Sequence, residues 1–265
     1  MNSPLEWQTQ LDDVPVPRWV ADLAGGDPVR PVWRNEDGGI TYRFGSGSAY
    51  LKVQVPGIDW QPDAERARLN WLAGRVPVPR VLRHGHRGAA HWLLTAGLPG
   101  RSAVDLPWRG RPEVAVPQLG RALRRFHDDL PIDECPFDLS VATRVAHYDL
   151  HPGVLAHTPP PDLVVCHGDA CNPNFLLADD GGFTGYVDLG GSGVADRWAD
   201  LAPALQSLAW NYGPGWEVSF LRAYGAEPDQ PKRLFYGALW DGVGEELGRF
   251  PTLSAATTDP GASPG

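Results

Sequence analysis

Residues 163–200 constrain the fold of this chain more than any other stretch. Their first four residues form an apolar run that is too short for a helix and ends in polar residues, which predicts a buried strand leading into a loop. A second strand is predicted over 174–177, and the Asp-Asp-Gly-Gly sequence at 179–182 is typical of a hairpin turn that returns through 183–187. The sequence therefore predicts a strand, a polar loop and a β-hairpin in succession.

The hairpin brings together polar residues that are distant in the sequence. If Leu177 pairs with Thr184, the antiparallel register places Asn174 beside Asp188, and Asp169 lies on the loop at the same end. Two carboxylates and a carboxamide at one strand end suit Mg²⁺, which takes oxygen ligands and is completed by substrate phosphates. This layout indicates phosphoryl transfer.

Sequence elements around this hairpin resemble the catalytic core of aminoglycoside phosphotransferases, most closely the 3′-phosphotransferase, kanamycin kinase-like sub-group. They are, in order, His167-Gly168-Asp169, Asn174, residues 187–190 (VDLG) and residues 194–202 (VADRWADLA). The resemblance implies an α+β, protein-kinase-like fold of two lobes. The N-lobe would be a small antiparallel sheet, and the C-lobe would be mainly helical and carry the catalytic hairpin.

The resemblance also implies roles for individual residues. Asp169 would be the catalytic aspartate that faces the acceptor hydroxyl, and Asn174 and Asp188 would hold Mg²⁺. Asp200 would be structural and would brace the catalytic loop. The alternative is a polar hairpin in an ordinary α+β domain.

The N-terminal part contains three predicted strands, at 31–35, 40–44 and 50–55, separated by glycine-containing turns. Together they predict a small antiparallel sheet. Lys52 lies on the opposite face of its strand from the apolar residues Leu51 and Val53, because side chains alternate along a strand. Considered alone, it is a solvated edge lysine.

A helix predicted over 63–73 changes this interpretation. Glu65 lies on the same face of that helix as Leu69 and Leu72, at spacings of four and seven residues. A carboxylate on an apolar face is costly unless a cation pairs with it, and Lys52 on a neighbouring strand could be that cation. By resemblance, Lys52 contacts the nucleotide phosphates and Glu65 is its partner.

Further nucleotide contacts are implied by the resemblance. The glycine-containing loop with Ser46 and Gly47 would lie near the nucleotide, although two glycines between strands are also typical of a simple turn. Residues 95–100 would form the hinge between the lobes, where Ala96 and Leu98 would hold the adenine through backbone groups.

We expect an N-lobe over 1–95, a hinge over 96–100, a C-lobe over 101–250 and a disordered tail over 251–265. Apolar residues at helical spacing predict a core helix of the C-lobe over 116–130. Residues 80–91 contain three histidines among glycines and are expected to be mostly loop, with a triple-histidine metal site as the alternative.

The acceptor site is less defined by the sequence. Asp241, Glu245 and Glu246 are available to bind a cationic acceptor, and the alternative is a solvated helix end. Residues 138–162 are shorter than the pair of acidic helices that the family carries there, and Gly191 stands where close relatives usually have arginine. These departures concern the acceptor and leave the phosphate-transfer residues intact.

Composition excludes several classes of protein. The 265 residues carry a formal net charge of −9, which disfavours nucleic acid as a partner and favours cationic substrates. The three cysteines show no paired CxxC spacing, so neither a disulfide framework nor a zinc site is indicated, although Cys166, His167, Asp169 and Cys171 could be imagined as a metal cluster. With no signal peptide and no apolar stretch long enough to span a membrane, we expect a cytoplasmic protein without a membrane partner, monomeric or dimeric.

The sequence thus predicts a kinase that transfers the γ-phosphoryl group of ATP, with Mg²⁺, to a hydroxyl of an aminoglycoside, and that confers resistance to the antibiotic. Two alternatives stay open. One is a kinase of the same fold with a different hydroxylated amine, antibiotic or metabolite, as acceptor. The other is a nucleotide-binding protein without catalysis.

Overall fold

The computed structural model describes residues 11, 13–35, 38–54 and 62–242. The N-terminal strands are β1 (Val29–Arg34), β2 (Ile40–Phe44), β3 (Ala49–Gln54), β4 (Val81–Arg87) and β5 (Ala90–Ala96), and the helices are α1 (Arg18–Leu23) and α2 (Pro62–Leu72). The strands form one antiparallel sheet in the order β1-β2-β3-β5-β4. The three predicted strands and the predicted helix of this part are confirmed, with small shifts at their ends.

The prediction of a loop over most of residues 80–91 is wrong. Strands β4 and β5 form a hairpin in which His86 pairs with His91. The side chains of β4 are mostly exposed, so the strand lacks the apolar run that would have revealed it. Gly85 lies against the indole ring of Trp92, where an added Cβ would come within 2.8 Å of a ring carbon. The glycine here therefore serves close packing within a sheet.

Two hydrophobic cores support the sheet. The smaller core lies between the sheet and α1, and its buried members are Val20, Tyr42, Phe44, Ala49, Leu51 and Leu94. Leu69 and Leu72 of α2 and Leu93 of β5 belong instead to the larger core of the C-terminal part. Because α2 and β5 rest on that larger core, the sheet has a defined position relative to the catalytic hairpin.

The C-terminal part combines helices with two small antiparallel sheets. The helices are α3 (Leu106–Arg109), α4 (Pro112–Asp129), α5 (Val141–His147), α6 (Trp198–Tyr212), α7 (Glu217–Tyr224) and α8 (Gln230–Trp240), and the strands are β6 (Arg101–Ser102), β7 (Leu163–Cys166), β8 (Phe175–Leu177), β9 (Phe183–Tyr186) and β10 (Gly193–Asp196). Strand β7 pairs with β10, and β8 lies between β6 and β9. The predicted core helix is confirmed as α4, which begins four residues earlier than expected, at a proline suited to the first turn.

The hairpin of β8 and β9 has an irregular register. Leu177 pairs with Phe183 rather than with Thr184, because the ladder shifts between Leu176 and Leu177 next to the turn. Beyond this shift the predicted register holds, and the amide of Val187 donates a hydrogen bond of 2.9 Å to the carbonyl of Asn174. Asn174 and Asp188 are therefore neighbours at the open end of the hairpin, as predicted.

The chain beyond Gly242 lies outside the described residues, so the expected tail over 251–265 stays a prediction. None of the helices in the described ranges combines the length and the apolarity that a membrane span requires.

Candidate active site

Lys52 of β3 joins two carboxylates that come from different parts of the chain. Its Nζ lies 2.7 Å from Oε1 of Glu65 on α2 and 2.8 Å from Oδ1 of Asp188, which follows β9. The Glu65 side chain is 3% exposed and the Asp188 side chain 48% exposed. Burial alone would lower the pKa of Lys52, but the charges of Asp188 and Glu65 outweigh it and raise this pKa, so the ammonium group stays charged.

Asp188 has an unusual backbone conformation. Its φ of 62° lies in the left-handed region, which costs a non-glycine residue some free energy. The next residue, Leu189, is fully buried and anchors the backbone. The positive charge of Lys52 is the main cause that lowers the pKa of Asp188, against a smaller opposing effect of burial. The strained conformation thus places an ionised, half-exposed carboxylate beside Lys52.

Asp169 lies on the loop between β7 and β8 and is oriented by Asn174. The Nδ2 group of Asn174 donates to Oδ2 of Asp169 and to its backbone carbonyl, both at 2.9 Å, which leaves the amide oxygen of Asn174 for another ligand. Oδ1 of Asp169 is buried and accepts no hydrogen bond from a nitrogen or oxygen donor of the described residues, while the thiol of Cys171 donates to the carboxyl group. Burial, and then the charge of Asp188, raise the pKa of Asp169.

The loop that carries Asp169 is held from beneath by Asp200 of α6. The fully buried carboxylate of Asp200 accepts hydrogen bonds from the amides of His167 at 2.6 Å and Gly168 at 2.9 Å. It also lies 2.9 Å from Nε2 of His127, whose Nδ1 is 2.7 Å from the hydroxyl of Tyr224. Although burial raises its pKa, the hydrogen bond from His127 leads the opposing effects, and the net pKa of Asp200 is lowered. These contacts confirm the bracing role expected of Asp200.

Four of the expected nucleotide-binding residues lie near the start of β3, where Ala96 pairs with Ala49. Ser46 and Gly47 lie in the turn before β3, and the adjacent Ser48 carbonyl accepts a hydrogen bond of 2.9 Å from Gly97 in the expected hinge. The turn is therefore close to the hinge and at the opposite end of the strand from Gln54. The amide of Ala96 donates a hydrogen bond of 2.8 Å to the backbone carbonyl of Arg80. The side chain of Leu98 packs near Gly185.

The expected acceptor-binding acids are only partly described. Asp241 is exposed at the end of α8, where its carboxylate oxygens lie 3.4 and 3.5 Å from Nε2 of Gln206. Glu245 and Glu246 lie outside the described residues.

The alternative metal clusters do not form within the described ranges. One group there brings three possible ligand atoms within 4.8 Å of one another, and it consists of His127, Cys166 and Asp200. Neither the histidines of residues 80–91 nor the cluster of Cys166, His167, Asp169 and Cys171 is such a group. The three atoms that do meet are engaged with the protein, since His127 bonds Asp200 and the Cys166 thiol donates to the carbonyl of Asp196 at 3.4 Å.

Two further residues at the site were not predicted. Tyr50 precedes Lys52 by two residues on the same face of β3, and its hydroxyl lies near Gly47 at the hinge end. Strand alternation could have identified it. Arg68 of α2 donates from Nε to the carbonyl of Ser192 at 2.7 Å, and no sequence pattern indicates a contact across 124 residues.

Comparison with known proteins identifies relatives of this arrangement. Residues 140–236 match the model of the phosphotransferase enzyme family, APH. An aminoglycoside 3′-phosphotransferase of Streptomyces fradiae is 36% identical over 209 residues, which cover 66% of this chain and 77% of that protein. The crystal structure of an aminoglycoside 3′-phosphotransferase of type VIII superposes with a TM-score of 0.70 at 32% identity, covering 84% of this chain and 97% of the other. The aminoglycoside phosphotransferase APH(3′′)-Id of Streptomyces rimosus, solved with ADP and streptomycin, gives a TM-score of 0.64 at 27% identity, with 86% and 97% covered.

Proposed function

Because the chain belongs to the aminoglycoside phosphotransferase family, we propose that it transfers the γ-phosphoryl group of ATP to the 3′-hydroxyl of an aminoglycoside and so confers resistance. The observation that carries this proposal is the buried Oδ1 of Asp169. It accepts no hydrogen bond from a nitrogen or oxygen donor of the described residues, so it can accept one from a substrate hydroxyl. It lies on the loop held by Asp200, close enough to Asp188 of the ion pair with Lys52 for the Asp188 charge to raise its pKa.

In this proposal Asp169 orients the acceptor hydroxyl and receives its proton. The hydroxyl oxygen forms a bond to the γ-phosphorus while the bond from that phosphorus to the β,γ-bridging oxygen breaks, and ADP leaves with the electron pair. The hydrogen bond from Asn174 fixes the carboxyl group, and its raised pKa makes it a better proton acceptor than an ordinary aspartate. Asp169 would therefore accelerate the transfer in two ways, by orienting the acceptor hydroxyl and by accepting its proton.

The nucleotide would lie between the hinge and Lys52. Lys52, oriented by the buried Glu65, would bind phosphate oxygens. Tyr50 presents a planar ring on the same face of β3, closer to the hinge, where a base could stack on it.

The proposed location of the reaction is the cytoplasm. The three cysteines of this chain are free thiols, and the cytoplasm keeps cysteines reduced and supplies ATP.

The residues at the hairpin end fit a magnesium ion. Asn174 has an amide oxygen directed away from its hydrogen bonds to Asp169, and Asp188 has an ionised, half-exposed carboxylate. Both are hard oxygen donors of the kind that Mg²⁺ takes together with phosphates and water. When bound there, Mg²⁺ would neutralise charge on the phosphates.

A second acceptor is favoured by the surface at the end of α6. Trp210 is 45% exposed, and its ring lies 6.2 Å from that of Trp240, next to the contact of Gln206 with Asp241. Exposed aromatic rings beside the Asp241 carboxylate suit guanidinium groups, which stack on rings and pair with carboxylates. A streptomycin-like acceptor, attacked at another hydroxyl, is therefore the alternative.

Mg²⁺- and ATP-dependent ADP release by the purified protein tests these functions. Kanamycin should drive release, tobramycin should not because it lacks the 3′-hydroxyl, and mass spectrometry should find one added phosphoryl group on kanamycin. Release with streptomycin alone would support the alternative acceptor. If none of the three drives release, the proposed substrate class is wrong.

A further inference from the structure

We infer that Arg68 is a positioning residue that locks helix α2 onto the two loops carrying Asp169 and Asp188. The inference goes beyond the proposed reaction, and it rests on that reaction for the roles of the two aspartates. Its basis is a continuous chain of contacts from α2, in the N-terminal part, to the catalytic loop, in the C-terminal part.

The first contact joins α2 to the loop after Asp188. Arg68 donates from Nε to the backbone carbonyl of Ser192 at 2.7 Å, and from Nη1 to the carbonyl of Ala64 in its own helix at 3.2 Å. Its guanidinium group lies over the ring of Phe137, 4.7 Å from the centroid. A planar cation held by two carbonyls and one ring has little freedom to move, so it transmits position.

The second contact joins the two loops to each other. Ser192 is 1% exposed, and its Oγ donates to the carbonyl of His167 at 2.9 Å. Its own amide donates to the carbonyl of Leu189 at 3.1 Å, directly after Asp188. Ser192 thus belongs to the Asp188 loop and bonds the residue that lies two positions before Asp169.

These contacts matter because of what α2 carries. Glu65 lies one turn before Arg68 on the same helix, and it holds Lys52 at 2.7 Å. A shift of α2 would therefore move Lys52 relative to both aspartates. The two loops approach each other closely, since the backbone of Gly191 packs against that of Gly168. Arg68 ties α2 to this pair of loops through the carbonyl of Ser192, the residue after Gly191.

The test compares variants of Arg68 with a matched arginine on the same helix. Arg66 lies two residues away and pairs at the surface with Asp63, so Arg66→Ala should behave as the wild type. Arg68→Ala should lower kcat for kanamycin by about 10- to 100-fold, since a misplacement of the order of 1 Å costs about that much, while the KM for the acceptor changes little. Arg68→Lys keeps the charge but lacks the planar N–H group, and its kcat should lie between the two.

Coupling between residues distinguishes positioning from general destabilisation. Ser192→Ala removes the bond to His167 and should lower kcat in the same direction. The double variant Arg68→Ala/Ser192→Ala should be little worse than the more affected single variant, because both cut one chain of contacts. Independent, multiplicative losses would contradict the inference.

Amide hydrogen exchange, measured without any acceptor, separates this inference from the proposed function. Exchange over residues 163–169 should be faster in Arg68→Ala than in Arg66→Ala. If the wild type phosphorylates no aminoglycoside, the proposed function fails, and the exchange result still decides the role of Arg68. A folded Arg68→Ala variant with wild-type kcat or unchanged exchange in this segment overturns the inference. Should Arg68→Ala not fold, the same criteria apply to Arg68→Lys.

Discussion

Nζ of Lys52 lies 2.8 Å from Oδ1 of Asp188, although 136 residues separate the two in the chain. The contact joins β3 to the end of the hairpin of β8 and β9, while Glu65 binds the same ammonium group. Lys52 is the proposed phosphate ligand and Asp188 the proposed metal ligand. In the proposed function, binding of Mg²⁺ and ATP would therefore replace this direct ion pair with contacts to phosphate and metal.

Lysine acylation can detect this exchange of partners, because the chain contains two lysines, Lys52 and Lys232. We expect Mg²⁺ with ATP to slow acylation of Lys52 at least several-fold, since phosphate oxygens would cover its Nζ. Lys232 pairs with the buried Asp196 of β10 and serves as the internal reference, so its rate of acylation should not change. Peptide mass spectrometry measures both rates in one sample. Equal protection of both lysines, or of neither, contradicts a phosphate contact at Lys52.

Asp169→Asn tests the proposed proton acceptor. The substitution preserves the size of the side chain but removes its basicity, so kcat should fall by about 10²- to 10⁴-fold. The affinity for ATP, measured by calorimetry, should stay nearly unchanged, because the proposed role of Asp169 concerns the acceptor and not the nucleotide. Asp133→Asn, at an exposed position of a 3-10 turn, is the matched control and should have no effect. Retention of most of the turnover by Asp169→Asn would remove this residue from the role.

The protonation of the same carboxyl group should depend on Mg²⁺. Burial, and then the charge of Asp188, raise the pKa of Asp169, so in the protein without Mg²⁺ it should become protonated at a higher pH than an ordinary aspartate as the pH falls. The carboxyl ¹³C chemical shift of Asp169, measured by NMR without Mg²⁺ and nucleotide, follows this titration. Mg²⁺ on Asp188 would offset the negative charge that raises the pKa, so Mg²⁺ with ATP should move the titration to lower pH. A midpoint at the ordinary value of about 4 in the metal-free protein would contradict the raised pKa.

Much of this site could be predicted because its residues lie in short, patterned segments. Asp169, Asn174 and Asp188 fall within one strand-loop-hairpin sequence, and the register alone places the last two together. Lys52 and Glu65 could be paired because each is out of place on its own element, a charged group whose burial requires a partner.

Other features could not be predicted because they depend on contacts that local sequence patterns do not reveal. Strand β4 is stabilised by pairing with β5 while its side chains face solvent, so no apolar pattern identifies it. The shift at Leu177 arises in the turn and leaves the far end of the hairpin unaffected. The contact of Arg68 with Ser192 uses a backbone carbonyl, which is present at every residue and has no signature in the sequence.

Two glycines in contact at the catalytic loop should respond differently to substitution. Gly168 has a φ of 88°, and an added Cβ would collide with the backbone of Gly191, which cannot move without shifting the Asp188 loop. The reverse contact is less close, because a Cβ on Gly191 would lie 3.3 Å from the carbonyl group of Gly168 and φ there is not in the left-handed region. Gly168→Ala should therefore lower the free energy of unfolding by about 2–3 kcal/mol, from backbone strain and overpacking together, and reduce kcat.

Gly191→Ala is the matched control for this substitution and should cost less than about 1 kcal/mol, with kcat retained. Urea unfolding and kanamycin turnover, measured on both variants, give the comparison. If the two alanines cost the same, the tight contact does not determine the position of the catalytic loop. A larger loss in Gly168→Ala, accompanied by lower kcat, means that the approach of these two backbones sets the distance between Asp169 and Asp188.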